Sequence, residues 1–281
     1  MVNFNGKLIS KDIDYLNQGN RGLLYGDALF ESFRVVNGHI YFLEDHYLRL
    51  MASMRILRME IPMDFTMEFM EQEILKAIAA SDTNKAFRVR FTVFRNNGGL
   101  YTPQTNNVSY IIEARELEEN FYVLKDKVYE VELFKDFYIQ KSMLSNLKTN
   151  NRILNVVGSI FAKENDYDNC LLLNGDKNVV EALNGNLFMV AGSTIKTPPL
   201  SDGCLDGVLR KNLINVISKG ENYQLVEESI SPFELQKADE LFITNAIGGI
   251  IPITKYRKKE YARTVSQSLI GKLNMAVRIT I

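Results

Sequence analysis

Val180-Glu-Ala-Leu-Asn-Gly-Asn186-Leu-Phe188 sets a single carboxylate, Glu181, among apolar and small residues. It follows the turn Asn174-Gly-Asp176 and leads into a strand-like run from Leu187 to Ala191. Taken alone, such a carboxylate reads as an exposed strand end. In apolar surroundings it can also keep a pyridine nitrogen protonated, so that the ring absorbs electrons. Segments on either side favour the second reading.

Upstream, Lys148-Thr-Asn-Asn151 follows the loop-like Ser142-Met-Leu-Ser-Asn146 and precedes a helix predicted over 150–163. A lysine before a helix is ordinarily a surface residue. To form an imine it must spend time neutral although its free pKa is about 10.4, which burial and a neighbouring cation promote. Downstream, Gly207-Val-Leu-Arg210 opens a helix predicted over 208–218, where free amides and the positive dipole end attract phosphate. Ala238-Asp-Glu-Leu-Phe-Ile-Thr-Asn-Ala246 follows. Nearer the N-terminus stand Tyr25-Gly-Asp-Ala-Leu-Phe30-Glu31-Ser-Phe-Arg34 and His46-Tyr-Leu-Arg49-Leu50. Arg49 lies one helical turn after Asp45, so an i,i+4 ion pair is its plain reading and a fork on a phosphate dianion the alternative. A lysine, a carboxylate, and an arginine with backbone amides are the parts pyridoxal phosphate requires. No P-loop or GxGxxG competes for a phosphate.

Composition narrows the field from the other direction. The 33 basic and 34 acidic residues nearly cancel, so there is no nucleic-acid footprint, and Lys255-Tyr-Arg-Lys-Lys259 reads as a solvated loop or helix end. Two isolated cysteines, Cys170 and Cys204, argue against a disulfide framework and for a reducing cytoplasm. The N-terminal residues lack the apolar core of a signal peptide, and the apolar run 241–254 is too short to span a bilayer. His39 and His46 show no transition-metal spacing, and G-x-S-x-G is absent. A cytoplasmic enzyme without metal, membrane or nucleic-acid partner is expected.

Local patterns predict a mixed α/β protein. Val2 to Ile9 reads as strand and turn about Asn5-Gly6, and residues 29–36 and 40–43 as a hairpin about Asn37-Gly38. Helical spacing runs over 44–57 and 64–80, and strands are expected over 87–94, 109–114 and 169–173. The domain reading is 1–115 as a small N-terminal domain, 116–140 as linker, and 141–281 as a large C-terminal domain.

In order and separation these segments resemble the class IV aminotransferases, the fold-type IV pyridoxal phosphate enzymes, over nearly the whole chain. The resemblance implies two α/β domains with the cofactor in the cleft, and a homodimer acting on an amino-acid-like substrate. It makes Lys148 the Schiff-base lysine and Glu181 the partner of the pyridine nitrogen. It makes Arg49 with amides at Val208, Leu209 and Ala246 the phosphate cup, and places Asn186 and Asn245 beside the cofactor. Phe30, Arg95 and Arg152 become substrate-side candidates, although Arg95 equally reads as an exposed strand end.

The family holds more than one reaction. Phe30-Glu31-Ser-Phe-Arg34 is similar to branched-chain and D-amino-acid aminotransferases, which pass an amino group between an amino acid and a 2-keto acid. Leu209, Asn245-Ala246 and Arg152 look instead like 4-amino-4-deoxychorismate lyase, which releases pyruvate to form para-aminobenzoate for folate. Against the lyase, Leu100 stands where a well-known lyase pattern has arginine. Aminotransferase is the main expectation and lyase the alternative.

Overall fold

The computed structural model describes residues 1–79 and 85–279, without the side chains of 278 and 279. It divides into two compact units: Met1–Phe121 with Lys148–Asn151, and Tyr122–Leu147 with the chain from Arg152 onward.

The first unit is built on six strands, β1 (Val2–Phe4), β2 (Lys7–Ile9), β3 (Ala28–Val36), β4 (His39–Ile40), β5 (Ala86–Arg95) and β6 (Val108–Leu117). They form one sheet in the order β2-β1-β6-β5-β3-β4. The two expected turns hold, with positive φ at Asn5-Gly6 and at Asn37-Gly38. Among the described residues the unit's helices are α1 (Arg21–Tyr25), α2 (Leu43–Ile56) and α3 (Met67–Ile78). The helix expected from residue 64 starts later because the Thr66 hydroxyl caps it, accepting from Phe69 N–H at 3.2 Å. Its expected end at Ala80 lies outside the described residues.

Strand alternation gives the sheet two unlike faces. Phe33, Val89, Phe91 and Ile112 are wholly buried on one face. The Phe33 ring meets His46 of α2 there at 4.6 Å. The register of β3 against β5 groups Phe30, Ser32 and Arg34 with Thr92, Arg90 and Arg88 on the other. That polar face is the one that matters below.

The second unit contains β7 (Glu130–Ile139), α4 (Ile153–Glu164), β8 (Asn169–Asn174), β9 (Val179–Ala182), β10 (Gly185–Ala191) and β11 (Thr194–Thr197). It continues with α5 (Val208–Ser218), β12 (Gln224–Glu227), α6 (Pro232–Leu235), β13 (Glu240–Asn245), β14 (Gly249–Ile253), β15 (Lys255–Tyr256), β16 (Lys259–Glu260) and α7 (Thr264–Ile279). Ten strands make one mixed sheet, in which β10 pairs antiparallel with β9, β11 and β13. Phe188 and Phe242 stack across β10 and β13 at 5.2 Å, both fully buried. Each such side chain contributes roughly 1.5–3 kcal/mol from burial alone.

Three expectations are corrected. The linker read over 116–140 contains a ten-residue strand, β7, paired parallel with β8. Its charged residues Glu130, Glu132, Lys135 and Asp136 mask the buried Val131, Leu133 and Phe134. The helix expected from residue 150 starts at Ile153, because Lys148–Asn151 is extended along β3. The basic run 255–259 is a hairpin in which Tyr256 is buried and only the turn residues Arg257 and Lys258 are exposed.

Candidate active site

In the first unit, β3 fixes the backbone of Lys148. Phe30 N–H donates to Lys148 O at 2.9 Å, and Asn150 N–H donates to Ala28 O at 2.9 Å. The Lys148 Nζ lies 4.4 Å from the centroid of the Phe30 ring, and the Arg90 guanidinium lies 3.7 Å from the same centroid. Arg90 is steadied by Thr92 Oγ1 at 3.1 Å and Asn150 Oδ1 at 2.9 Å. Sequence reasoning passed over Arg90. Its signal was present: Arg88, Arg90 and Thr92 alternate with Val89, Phe91 and Val93, so an arginine sits mid-strand on a polar face.

The spacing Lys148-x-x-Asn151 acquires a local cause. Gly26 ends α1 in the left-handed region at φ 63°, and a Cβ there would overlap the Asn151 side chain. Asn151 Nδ2 donates back to Gly26 O at 3.3 Å. Glycine and asparagine together seat the segment that carries the lysine.

Arg49 reaches from α2 to β3 and grips the buried Glu31 with Nε (2.8 Å to Oε1) and Nη2, while His46 Nδ1 meets Glu31 Oε2 at 2.7 Å. Arg95 is corrected. It is not an exposed strand end, since it is 6% exposed and donors of its guanidinium go to the protein. They reach Asp27 Oδ2 at 2.9 Å, Leu57 O at 2.6 Å, Arg58 O at 3.1 Å and Asn106 Oδ1. An arginine at the end of α2 satisfies carbonyls that the helix leaves open.

In the second unit, Glu181 lies on β9 and is 6% exposed, not an open strand end. Its Oε2 accepts from Leu205 N–H at 2.9 Å. Asn186, opposite Glu181 in register, donates from Nδ2 to Leu205 O at 2.8 Å. The Leu205 peptide is thus held at both ends just before α5. Asn186, expected beside the cofactor, is given a positioning part here. Gly207 caps α5 without any side-chain hydrogen bond, so no side chain of its own competes for the first amides of the helix. A Cβ on Gly207 would overlap Asn186 Oδ1, and that buried side chain is held in place by its Nδ2 bond to Leu205 O. Gly207→Ala should therefore displace the start of α5. We expect about tenfold weaker cofactor binding and about 1–3 kcal/mol lost stability, read by calorimetric titration and thermal melting.

The remaining candidates are also placed. Asn245 Oδ1 accepts from Ile247 N–H at 3.1 Å and Gly248 N–H at 2.8 Å, folding the turn that carries Ala246, whose carbonyl accepts from Tyr122 O–H at 2.9 Å. Arg152 donates to Leu147 O at 2.8 Å, bracing the residue before Lys148. Cys204 offers no thiolate, since burial, aided by the Glu181 charge, pushes its thiol up to about 12. Among the described residues no cluster could hold a metal ion.

The chain supplies an amine on a fixed backbone, an arginine, a helix start without a side-chain cap, and a buried carboxylate. These suit the aldehyde, the phosphate and the ring nitrogen of pyridoxal phosphate, so the residues present fit that group. The family model for amino-transferase class IV matches residues 28–256. The chain belongs to the class IV aminotransferase family.

Relatives of this class IV enzyme divide between reactions. It is 26% identical over 277 residues to a Methanocaldococcus jannaschii protein provisionally named branched-chain-amino-acid aminotransferase, covering 99% of this chain and 93% of that one. It is 24% identical over 263 residues to the aminodeoxychorismate lyase of Bacillus subtilis, covering 93% and 88%. The branched-chain aminotransferase of Thermoproteus uzoniensis, solved with norvaline, superposes with a TM-score of 0.87 at 24% identity, covering 98% of this chain and 94% of that one.

Proposed function

We propose that this class IV enzyme uses pyridoxal phosphate to move an amino group between an amino acid, of branched-chain or D-amino-acid type, and a 2-keto acid. The observation that carries the reading is the pairing of Lys148 and Arg90 over Phe30. It brings to one ring an amine that can act as a base and a guanidinium of the kind that holds a carboxylate.

Bound pyridoxal phosphate supplies an electron-accepting ring for the negative charge that develops on the substrate α-carbon. Lys148 would hold the cofactor through its amine, and its Nζ is the base that would take and return the α-proton. Glu181 keeps the ring nitrogen protonated. Arg49 and the amides of Val208, Leu209 and Ala246 hold the phosphate. Arg90 takes the substrate carboxylate in the place once read for Arg95, and Phe30 forms the floor beneath it.

The second reading is aminodeoxychorismate lyase. Leu209, at the first turn of α5, is 1% exposed and brings no hydroxyl to a phosphate, and Asn245 spends its side-chain oxygen on its own turn. A homodimer in the cytoplasm is part of the proposal. It is supported by Ile153, Val156 and Ile160, exposed apolar side chains along α4 at helical spacing.

The test is keto-acid formation from a panel of L- and D-amino acids, beside pyruvate and para-aminobenzoate release from aminodeoxychorismate. It uses protein whose mass in solution is read by light scattering against the 32.1 kDa of one chain. Amino transfer from the panel is expected. Turnover of aminodeoxychorismate alone would replace the main reading with the second.

A further inference from the structure

Glu31, His46 and Arg49 form a buried polar cluster within the first unit, where β3 meets α2. Glu31 and His46 are each 1% exposed. Burying ionisable groups costs free energy even when they pair, and apolar side chains of similar volume often stabilise a fold as well. The cluster therefore calls for a reason beyond packing.

Its chemistry is that of a mount. Burial pushes the Glu31 carboxyl up, but the Arg49 charge and the bonds from His46 and Arg49 outweigh it and bring the group down to about 2. Burial holds His46 below its ordinary value against the opposing pull of Glu31, and the Arg49 and Lys148 charges act with burial. The ring is thus neutral, and its Nδ1 donates to Glu31 while Nε2 lies buried with no hydrogen-bond partner among the described residues. Histidine adds a donor here without adding a second cation.

The contact on Arg49 is side-on, Nε to Oε1 and Nη2 to Oε2. A two-point fork fixes the rotation of the guanidinium plane and turns the Nη1 edge away from Glu31. A long side chain mounted in this way has less freedom left to lose when it takes an anion.

We propose that Glu31, itself held by His46, is a positioning residue that aims the Arg49 guanidinium at the cofactor phosphate. This rests on the reading of Arg49 as a phosphate ligand. It also has a definite sign. If Glu31 merely neutralised Arg49, removing its charge would strengthen phosphate binding; if Glu31 aims Arg49, removal weakens it.

The experiment titrates cofactor-stripped full-length protein with pyridoxal phosphate and, separately, with pyridoxal, which lacks the phosphate, by calorimetry. Near-ultraviolet circular dichroism confirms that each variant is folded. Glu31→Gln is expected to weaken pyridoxal phosphate binding about 10- to 100-fold and pyridoxal binding less than about threefold. Unchanged or tighter pyridoxal phosphate binding, or equal losses for both ligands, overturns the positioning role. Arg49→Gln is the separate control: if it leaves the ratio of the two affinities unchanged, the phosphate reading of Arg49 itself fails. Should Glu31→Gln not fold, His46→Leu decides, with a selective loss of about threefold or more expected and no selective loss overturning the proposal.

Discussion

Lys148→Ala is expected to lower turnover by on the order of 10⁴-fold or more and to remove the visible absorbance of lysine-bound pyridoxal. One side chain performs two tasks that fail together. In the proposed mechanism it would anchor the cofactor covalently and its amine would move the α-proton, a general acid–base contribution of about 10²–10⁴ by itself. The loss should be chemical and not structural. The main chain of Lys148 is bound by Phe30 N–H, and Ala28 O holds Asn150 N–H; alanine retains both bonds. Thermal stability should accordingly change by less than about 1 kcal/mol. Lys141→Ala is the matched control, because that lysine pairs with Asp176 on an exposed surface where an ion pair contributes little. Parent-like turnover in Lys148→Ala would end the assignment, whereas loss of both turnover and folding would mark the lysine as structural.

The parts of the molecule legible from sequence are those whose signal is local. Hairpin turns at Asn5-Gly6 and Asn37-Gly38 and the helix from Val208 follow from residue chemistry within a few positions, and each is present. Strand β7 was legible as a strand-like run after the polar stretch 115–120 but not in its bounds, because its buried Val131 and Leu133 alternate with glutamates and Phe134 then breaks the alternation. The short stay of Lys148–Asn151 in the first unit was equally hidden, since a four-residue segment has no period of its own and is defined by its pairing with β3, far away in sequence. Side-chain roles show the same division. Residue type and order made Lys148, Glu181 and Arg49 candidates. Partnership could not be read: Arg95 looked available until Asp27 and the end of α2 were seen to occupy it. Arg90 looked like ordinary strand polarity until the cross-strand register set it over Phe30. Glu31 lies within the early motif 25–34, yet its partners His46 and Arg49 stand on the neighbouring helix.

Glu181→Gln is expected to reduce turnover by on the order of 10³-fold while leaving the fold intact, a loss comparable to removing one preorganised stabilising group from an active site. The substitution separates two duties of one carboxylate. Glutamine keeps an oxygen that can accept from Leu205 N–H, so the loop held between Glu181 and Asn186 should survive. It loses the negative charge that, in the proposed role, would favour a protonated ring nitrogen and with it the ring's capacity to take up electrons. The bound cofactor's absorbance should shift accordingly, independent of any turnover measurement. Glu181→Ala is the contrasting variant: it also strands the Leu205 N–H, and a buried unsatisfied donor costs about 1–3 kcal/mol, visible as a lower melting temperature. A glutamine variant with nearly parental kcat and an unshifted spectrum would show that the charge at 181 does not act on the ring, leaving Glu181 with only its loop-holding bond to Leu205.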